Sequence, residues 1–188
     1  DFSETYFYTP SQSKAKSLAA QVKGRFAAEL TDLPTDPDVV ILGCKPQQFA
    51  ELSKLIKGKF HSDPLYLSIL AATPLSLHES LLGSKKILRV MPNMSVRFKK
   101  GISIFLDSDI PEVLKIEWEK NFALIGKVKR VKTEEQFNHL MLLCGSGPAF
   151  MYQWLKWLSV MSEDLTMNER EELQTYHAPI GQFLSNGF

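Results

Sequence analysis

A chain of 188 residues, 44% of them hydrophobic, is long enough to bury a core, and a formal net charge of +1 supplies no long-range field to gather nucleic acid or an anionic membrane. Cys44 and Cys144 stand far apart among apolar neighbours, which is the pattern of reduced, buried thiols and makes the cytoplasm the default compartment. No basic stretch followed by an apolar one opens the chain, so no signal peptide is visible.

From Asp1 to Val131 short β-type runs alternate with helical ones. ETYFYT reads as a strand, and SQSKAKSLAAQVKGRFAAEL as a helix that starts at Ser11 as N-cap and carries Leu18, Val22 and Phe26 at four-residue spacing. DVVILGC is an apolar, β-branched strand, followed after Pro46 by the amphipathic QQFAELSKLI. LYLSIL, LSLHESLL and KILRV repeat the alternation, and GISIFL and GKVKRV read as further strands around a helix that begins at Pro111. From Glu134 onward only helices are expected. Apolar strands separated by helices predict an α/β fold, a Rossmann-like, doubly wound, mostly parallel sheet covered on both faces.

In such a sheet ligands bind where strands end and helices begin. That rule selects Gly43 to Gln47, Ile69 to Pro74 and Val90 to Ser95, where small residues or a proline follow a strand and let backbone approach a flat ligand. The run HLMLLCGSGPAFMYQWLKWL, residues 139 to 158, approaches membrane length, but Gly145 to Pro148 split it and Gln153 and Lys156 interrupt its second half, so no membrane span is expected.

Four blocks, DVVILGCKPQ, SILAATPLSLHESL, RVMPNMS with Gly101 beyond it, and LLCGSGPAF, occur in the order and spacing of the pyrroline-5-carboxylate reductase family, which the chain resembles over most of residues 5 to 165. The resemblance implies an NAD(P)H-dependent oxidoreductase of proline biosynthesis. Such an enzyme reduces a cyclic imine, 1-pyrroline-5-carboxylate, to L-proline with hydride from NADPH or NADH. It also implies a dinucleotide-binding domain over 1–131 and a helical dimerisation and substrate region over 132–188. The two glycines and Pro148 are then expected to turn the chain tightly at the domain junction, with Pro148 opening a new helix. The helix beyond, with Phe150, Met151, Trp154, Leu155 and Trp157, leaves almost no polar face, which predicts a homodimer or higher oligomer.

The cofactor is expected against Thr9, Ser11, Gly43, Cys44, Lys45, Pro46, Ile69, Leu70 and Ala71, with the nicotinamide end at the last seven. Asn93 and Ser146 are expected to hold the substrate. No side chain qualifies as general acid, so the catalytic residues stay unassigned. No metal site is expected either, because His61, His78, His139 and His177 are scattered and read as surface or helix-face residues.

The departures from the family matter as well. Asp1 aligns just before that family's second strand, so its first strand and Gly-x-Gly-x-x-Gly turn are expected to lie outside this chain, as is its Ser-Pro-Gly-Gly-Thr segment. Thr9-Pro10 replace an Asn-Arg pair, Met94-Ser95 replace Thr-Pro, Lys99 replaces a glycine, and Asn138 and Met141 replace an aspartate and a threonine. These changes leave open a reductase for a different imine, or a non-catalytic dimeric binding or regulatory protein on the same scaffold.

Overall fold

The computed structural model describes residues 4–161. It divides into a first compact unit that runs to His139 and a second that begins at Leu140.

In the first unit β1 (Tyr6–Phe7) and β2 (Arg25–Phe26) flank α1 (Gln12–Val22) and pair in parallel, Tyr6 opposite Arg25 and Phe7 opposite Phe26. A five-stranded sheet follows in the order β3 (Val39–Leu42), β4 (Leu65–Ser68), β5 (Ile87–Pro92), β6 (Gly101–Asp107), β7 (Gly126–Arg130). Neighbours are parallel except β5 and β6, which are joined by the short 3-10 turn Met94–Phe98 and run antiparallel. The mostly parallel α/β fold expected from the alternation is therefore present.

All four residues of β4 are buried, because side chains on both faces of this inner strand meet a core. On one face Leu42, Tyr66 and Ile87 pack with Phe49 and Ile56 of α2 (Phe49–Ile56) and Leu82 of α3 (Leu75–Leu82). On the other, Leu65, Leu67, Leu88, Val90 and Phe105 pack with Trp118 of α4 (Glu112–Ala123). Arg130 of β7 bridges Glu119 and Glu112 of α4, which fixes that helix over its strand.

One expected element differs. The helix predicted from Ser11 to Leu30 stops at Val22, where Lys23 takes the left-handed conformation at φ 56° and donates its N–H to Ala19 O. The chain then passes so close to β1 that a Cβ on Gly24 would lie 2.8 Å from the Phe7 ring, and Arg25 N–H donates to Thr5 O at 2.7 Å. Close approach, which only glycine allows, outweighed the helical spacing. Leu18 and Val22 are exposed, and the buried face of α1 is made by Ala15 and Ala19 instead.

The end of the first unit and the start of the second are a continuous helical run: α5 (Glu134–Met141), a π-turn (Leu142–Ser146) and α6 (Gly147–Met161). The tight turn expected at Gly145 to Gly147 is absent. Gly147 is right-handed helical at φ −49°, ψ −47°, and its N–H reaches five residues back to Leu142 O. Pro148 explains the widening: it has no N–H to donate, and its ring would crowd the carbonyl four residues earlier in a regular α-helix. None of the helices among the described residues is long and apolar enough to cross a membrane.

Candidate active site

The carboxyl ends of β3 and β4 are adjacent, since Leu42 pairs with Ser68 and Ile69 N–H donates to Leu42 O at 3.1 Å. This brings Gly43 beside Ile69, at the starts of the segments Gly43 to Pro46 and Ile69 to Ala71. A Cβ added to Gly43 would meet only Ile69 Cδ1, at 3.7 Å, so the backbone faces open space bordered by an isoleucine that is 42% exposed. Such a cradle fits a flat apolar ring, and the residues present therefore suit the nicotinamide end of a dinucleotide. Pro46 opens the short 3-10 turn Pro46–Gln48, where its missing N–H is harmless. The Cys44 thiol is pushed up by burial, which argues against a nucleophilic thiolate there.

Thr9 and Ser11 lie at the start of α1. Thr9 Oγ1 donates to Ser11 O at 2.5 Å, Ser11 Oγ and Ser13 Oγ are 3.1 Å apart, and Ser11 makes no side-chain cap on the helix. A cavity of about 590 Å³ opens instead at the amino ends of β3 and β4, lined by Asp36, Asp38, Asp63 and Glu117 among others. Its acid-rich wall is a poor host for phosphate.

Asn93 follows β5. Its Oδ1 accepts the N–H of Ile102 at 3.1 Å and lies 2.9 Å from where a Cβ on Gly101 would stand, so the carboxamide braces the β5–β6 connection. Ser146 belongs to the second unit, where it is exposed on the π-turn. The side chain of Cys144 in the same turn is half-buried, and burial raises its thiol pKa too.

Beneath the Ile69 to Pro74 loop lies a buried polar network that the sequence reading missed. His78 of α3 is fully buried, with Nδ1 2.9 Å from Pro74 O and Nε2 2.7 Å from Ser68 Oγ. Ser68 Oγ in turn accepts Leu70 N–H at 3.3 Å. Thr73 Oγ1 donates to Ala71 O at 2.9 Å. Arg89 of β5, 1% exposed, donates from Nη1 to Glu134 Oε2 at 2.5 Å, and Glu134 Oε1 accepts Leu75 N–H at 2.6 Å. Burial lowers the His78 pKa, Arg89 lowers it further, and the Pro74 carbonyl and Glu134 oppose the shift. Burial also lowers Arg89, against the stabilising pull of Glu134.

Signals for this network existed. His78 precedes the buried Leu82 by one helical turn, and Arg89 stands between Leu88 and Val90 in a strand otherwise buried. A charge inside an apolar strand requires a partner, though its identity, 45 residues away, is not readable from spacing.

A parallel-dominated α/β sheet with an open glycine at its carboxyl edge defines the Rossmann-like class of dinucleotide-binding folds. Over most of its length the chain is similar in sequence to pyrroline-5-carboxylate reductases. It is 29% identical over 159 residues to the pyrroline-5-carboxylate reductase of Aquifex aeolicus, a match covering 84% of this chain and 58% of that protein. The corresponding enzyme of Methanosarcina acetivorans is 31% identical over 140 residues, covering 73% of this chain and 51% of the other. The chain thus spans little more than half the length of these relatives.

Among solved structures, 1-pyrroline-5-carboxylate reductase from Streptococcus pyogenes superposes with a TM-score of 0.80 at 22% identity, covering 98% of this chain and 72% of that one. Pyrroline carboxylate reductase from Plasmodium falciparum with NADP bound gives 0.76 at 20%, covering 97% and 69%. These structural matches show the shared fold. No protein-family model matches the chain.

Proposed function

We propose that the protein to which this chain belongs reduces a cyclic imine, 1-pyrroline-5-carboxylate, to L-proline with NADPH or NADH. The observation that carries the reading is the open backbone at Gly43, set beside the exposed Ile69 at the carboxyl ends of two adjacent parallel strands. Similarity in sequence to pyrroline-5-carboxylate reductases supports the reaction class. When bound there, the reduced cofactor supplies the hydride.

The chain's own residues bind and orient. Gly43, Cys44, Pro46, Ile69 and Ala71 offer a largely apolar wall that excludes water from one side of the ring, Leu70 lies buried beneath it and contributes backbone, and Lys45 contributes its stem and backbone. Thr9 and Ser11 serve the phosphate-bearing end, as hydroxyls at the start of a helix. Asn93 in the first unit and Ser146 in the second, each with a side chain able to hydrogen-bond, are the residues we assign to substrate.

We also infer self-association through α6. Phe150, Met151, Tyr152, Leu155 and Trp157 are exposed among the described residues, and each large side chain left in water forgoes roughly 1.5–3 kcal/mol of burial. A second copy of the same helix is the partner that their aromatic and methionine chemistry suits.

The test is titration of the full-length protein with NADPH, followed by NADPH oxidation on addition of 1-pyrroline-5-carboxylate. Binding should be lost when Pro46 and Ala71 are both replaced by tryptophan. Unchanged NADPH affinity in that double variant would remove the cofactor from this wall, and tight NADPH binding without turnover on any cyclic imine would make the protein a binding module.

A further inference from the structure

The loop between β4 and α3 shows two different faces. Ile69, Ala71 and Ala72 point outward, whereas Ser68, Leu70, Thr73 and His78 are buried. Ala72 sits at φ 50°, a left-handed conformation that costs an alanine about 1–2 kcal/mol. The loop keeps this shape because it is tied at four backbone atoms: Leu70 N to Ser68, Ala71 O to Thr73, Pro74 O to His78, and Leu75 N to Glu134.

Two of those ties belong to one chain of hydrogen bonds with a fixed polarity. Pro74 O can only accept, so His78 Nδ1 carries the proton. In the neutral ring Nε2 is then an acceptor, and Ser68 must donate its hydroxyl to it. That leaves the oxygen lone pairs of Ser68 facing Leu70 N–H, which sets the plane of the Ile69–Leu70 peptide. The imidazole is clamped for this role, with the ring of Phe49 from α2 4.7 Å away and the charges of Arg89 on β5 and Glu134 on α5 acting on it. Protonation would turn Nε2 into a donor. Ser68 would then face two donors, Nε2–H and Leu70 N–H, with its own hydrogen left without an acceptor in a buried site.

We propose that His78, acting through Ser68, is a positioning residue that fixes the apolar platform of Ile69, Ala71 and Ala72 on which the flat end of the cofactor lies. The inference rests on the cofactor reading given above, and it adds the device that shapes the wall.

The experiment uses the full-length protein with Ser68→Ala, His78→Phe, the double variant and His78→Gln, whose carbonyl oxygen can still accept from Ser68. Two quantities are read: NADPH affinity against pH, and the hydrogen-exchange rate of the Leu70 amide without ligand. Each of the first two variants should weaken NADPH binding roughly tenfold, the equivalent of about 1.4 kcal/mol. The double variant should be no weaker than Ser68→Ala alone, because both act on one chain of bonds. His78→Gln should recover part of the loss.

Leu70 exchange should quicken in His78→Phe, a change in a residue that does not touch that amide. The wild type should lose NADPH affinity on acidification below the ordinary histidine range, while His78→Phe loses that dependence. Additive effects of the two single variants, or unchanged Leu70 exchange in His78→Phe, would overturn the positioning role while leaving the cofactor reading intact. A wild type that does not bind NADPH would overturn both. If His78→Phe does not fold, the same comparison is made between His78→Gln and Ser68→Ala.

Discussion

Replacing Glu134 by leucine should destabilise the protein more than replacing its partner Arg89 by methionine, although both changes break the same ion pair. Arg89 has nowhere to go: its side chain is 1% exposed, Nη1 is paired while Nε and Nη2 have no hydrogen-bond partner among the described residues, and the guanidinium lies 4.2 Å from the Phe137 ring centre. Without Glu134 that charge stays buried and unpaired, and Leu75 N–H loses its acceptor as well. Breaking a buried pair from one side costs about 3–5 kcal/mol. Glu134 is 35% exposed, so solvent already screens the pair and the low end, about 3 kcal/mol, applies. Arg89→Met leaves a carboxylate that can turn to water, while the methionine packs on Phe137, and should cost only about 1 kcal/mol. The double variant should regain about 2 kcal/mol over Glu134→Leu alone. Urea unfolding at constant m-value measures all three, and Glu134→Leu should lower the melting temperature by roughly 6–12 °C. An Arg89→Met protein as unstable as Glu134→Leu, or a double variant with no recovery, would refute the argument that burial of the guanidinium dominates.

Three further outcomes are expected. Gly101→Ala should cost about 1–3 kcal/mol in urea, because the new methyl would overlap Val96 and crowd Asn93 Oδ1, whereas Gly145→Ala, with nothing within 4 Å of its Cβ, should leave the chain as stable or more so. Stability should fall with acidification: the unfolded histidine takes up a proton near its ordinary 6.5 while folded His78, its pKa lowered first by burial, does not, so the unfolded state binds more protons. The loss should begin as pH falls through 6.5 and continue to the lowered folded value, and His78→Phe should flatten this slope. Trp157, 60% exposed within its own chain, should when changed to glutamate convert an oligomer into a folded monomer; sedimentation showing a wild-type monomer at micromolar concentration would refute the interface.

The sheet was legible because its strands are short apolar runs, fully buried in β4 and mostly so in β5, though Ile41 of β3 is exposed. VVIL, LYLS and ILRVMP stand between polar turns, and prolines at 46 and 111 mark two helix starts. What escaped depended on contacts remote in sequence. Gly24 ends α1 early because Phe7 and Thr5 lie against it, and β5 and β6 run antiparallel because a five-residue 3-10 turn, braced by Asn93, reverses the chain. Of the proposed site, the small residues that follow β3 and β4 were visible in the sequence. Its support was not, since His78, Ser68, Arg89 and Glu134 become partners only when four separate elements meet.

The run from 139 to 158 shows how a sequence can state a constraint without stating its geometry. Two glycines and a proline signal a break, yet the backbone stays helical and absorbs Pro148 by a single π-turn from Leu142 to Ser146. Within a helix each glycine costs about 1 kcal/mol relative to alanine, and neither Gly145 nor Gly147 has the positive φ that would call for one. Nothing among the described residues lies within 4 Å of a Cβ on Gly145, and only Leu142 O, at 4.0 Å, would meet one on Gly147. Packing among the described residues therefore gives no reason for either glycine. We expect instead that a group from outside these residues, a substrate or a second copy of the chain, comes close to this bare backbone beside Ser146. Gly145→Ala distinguishes the two accounts, because a variant that folds at least as well as wild type and loses substrate affinity or self-association locates the glycine's purpose in that approach, and one that folds well and loses neither removes it.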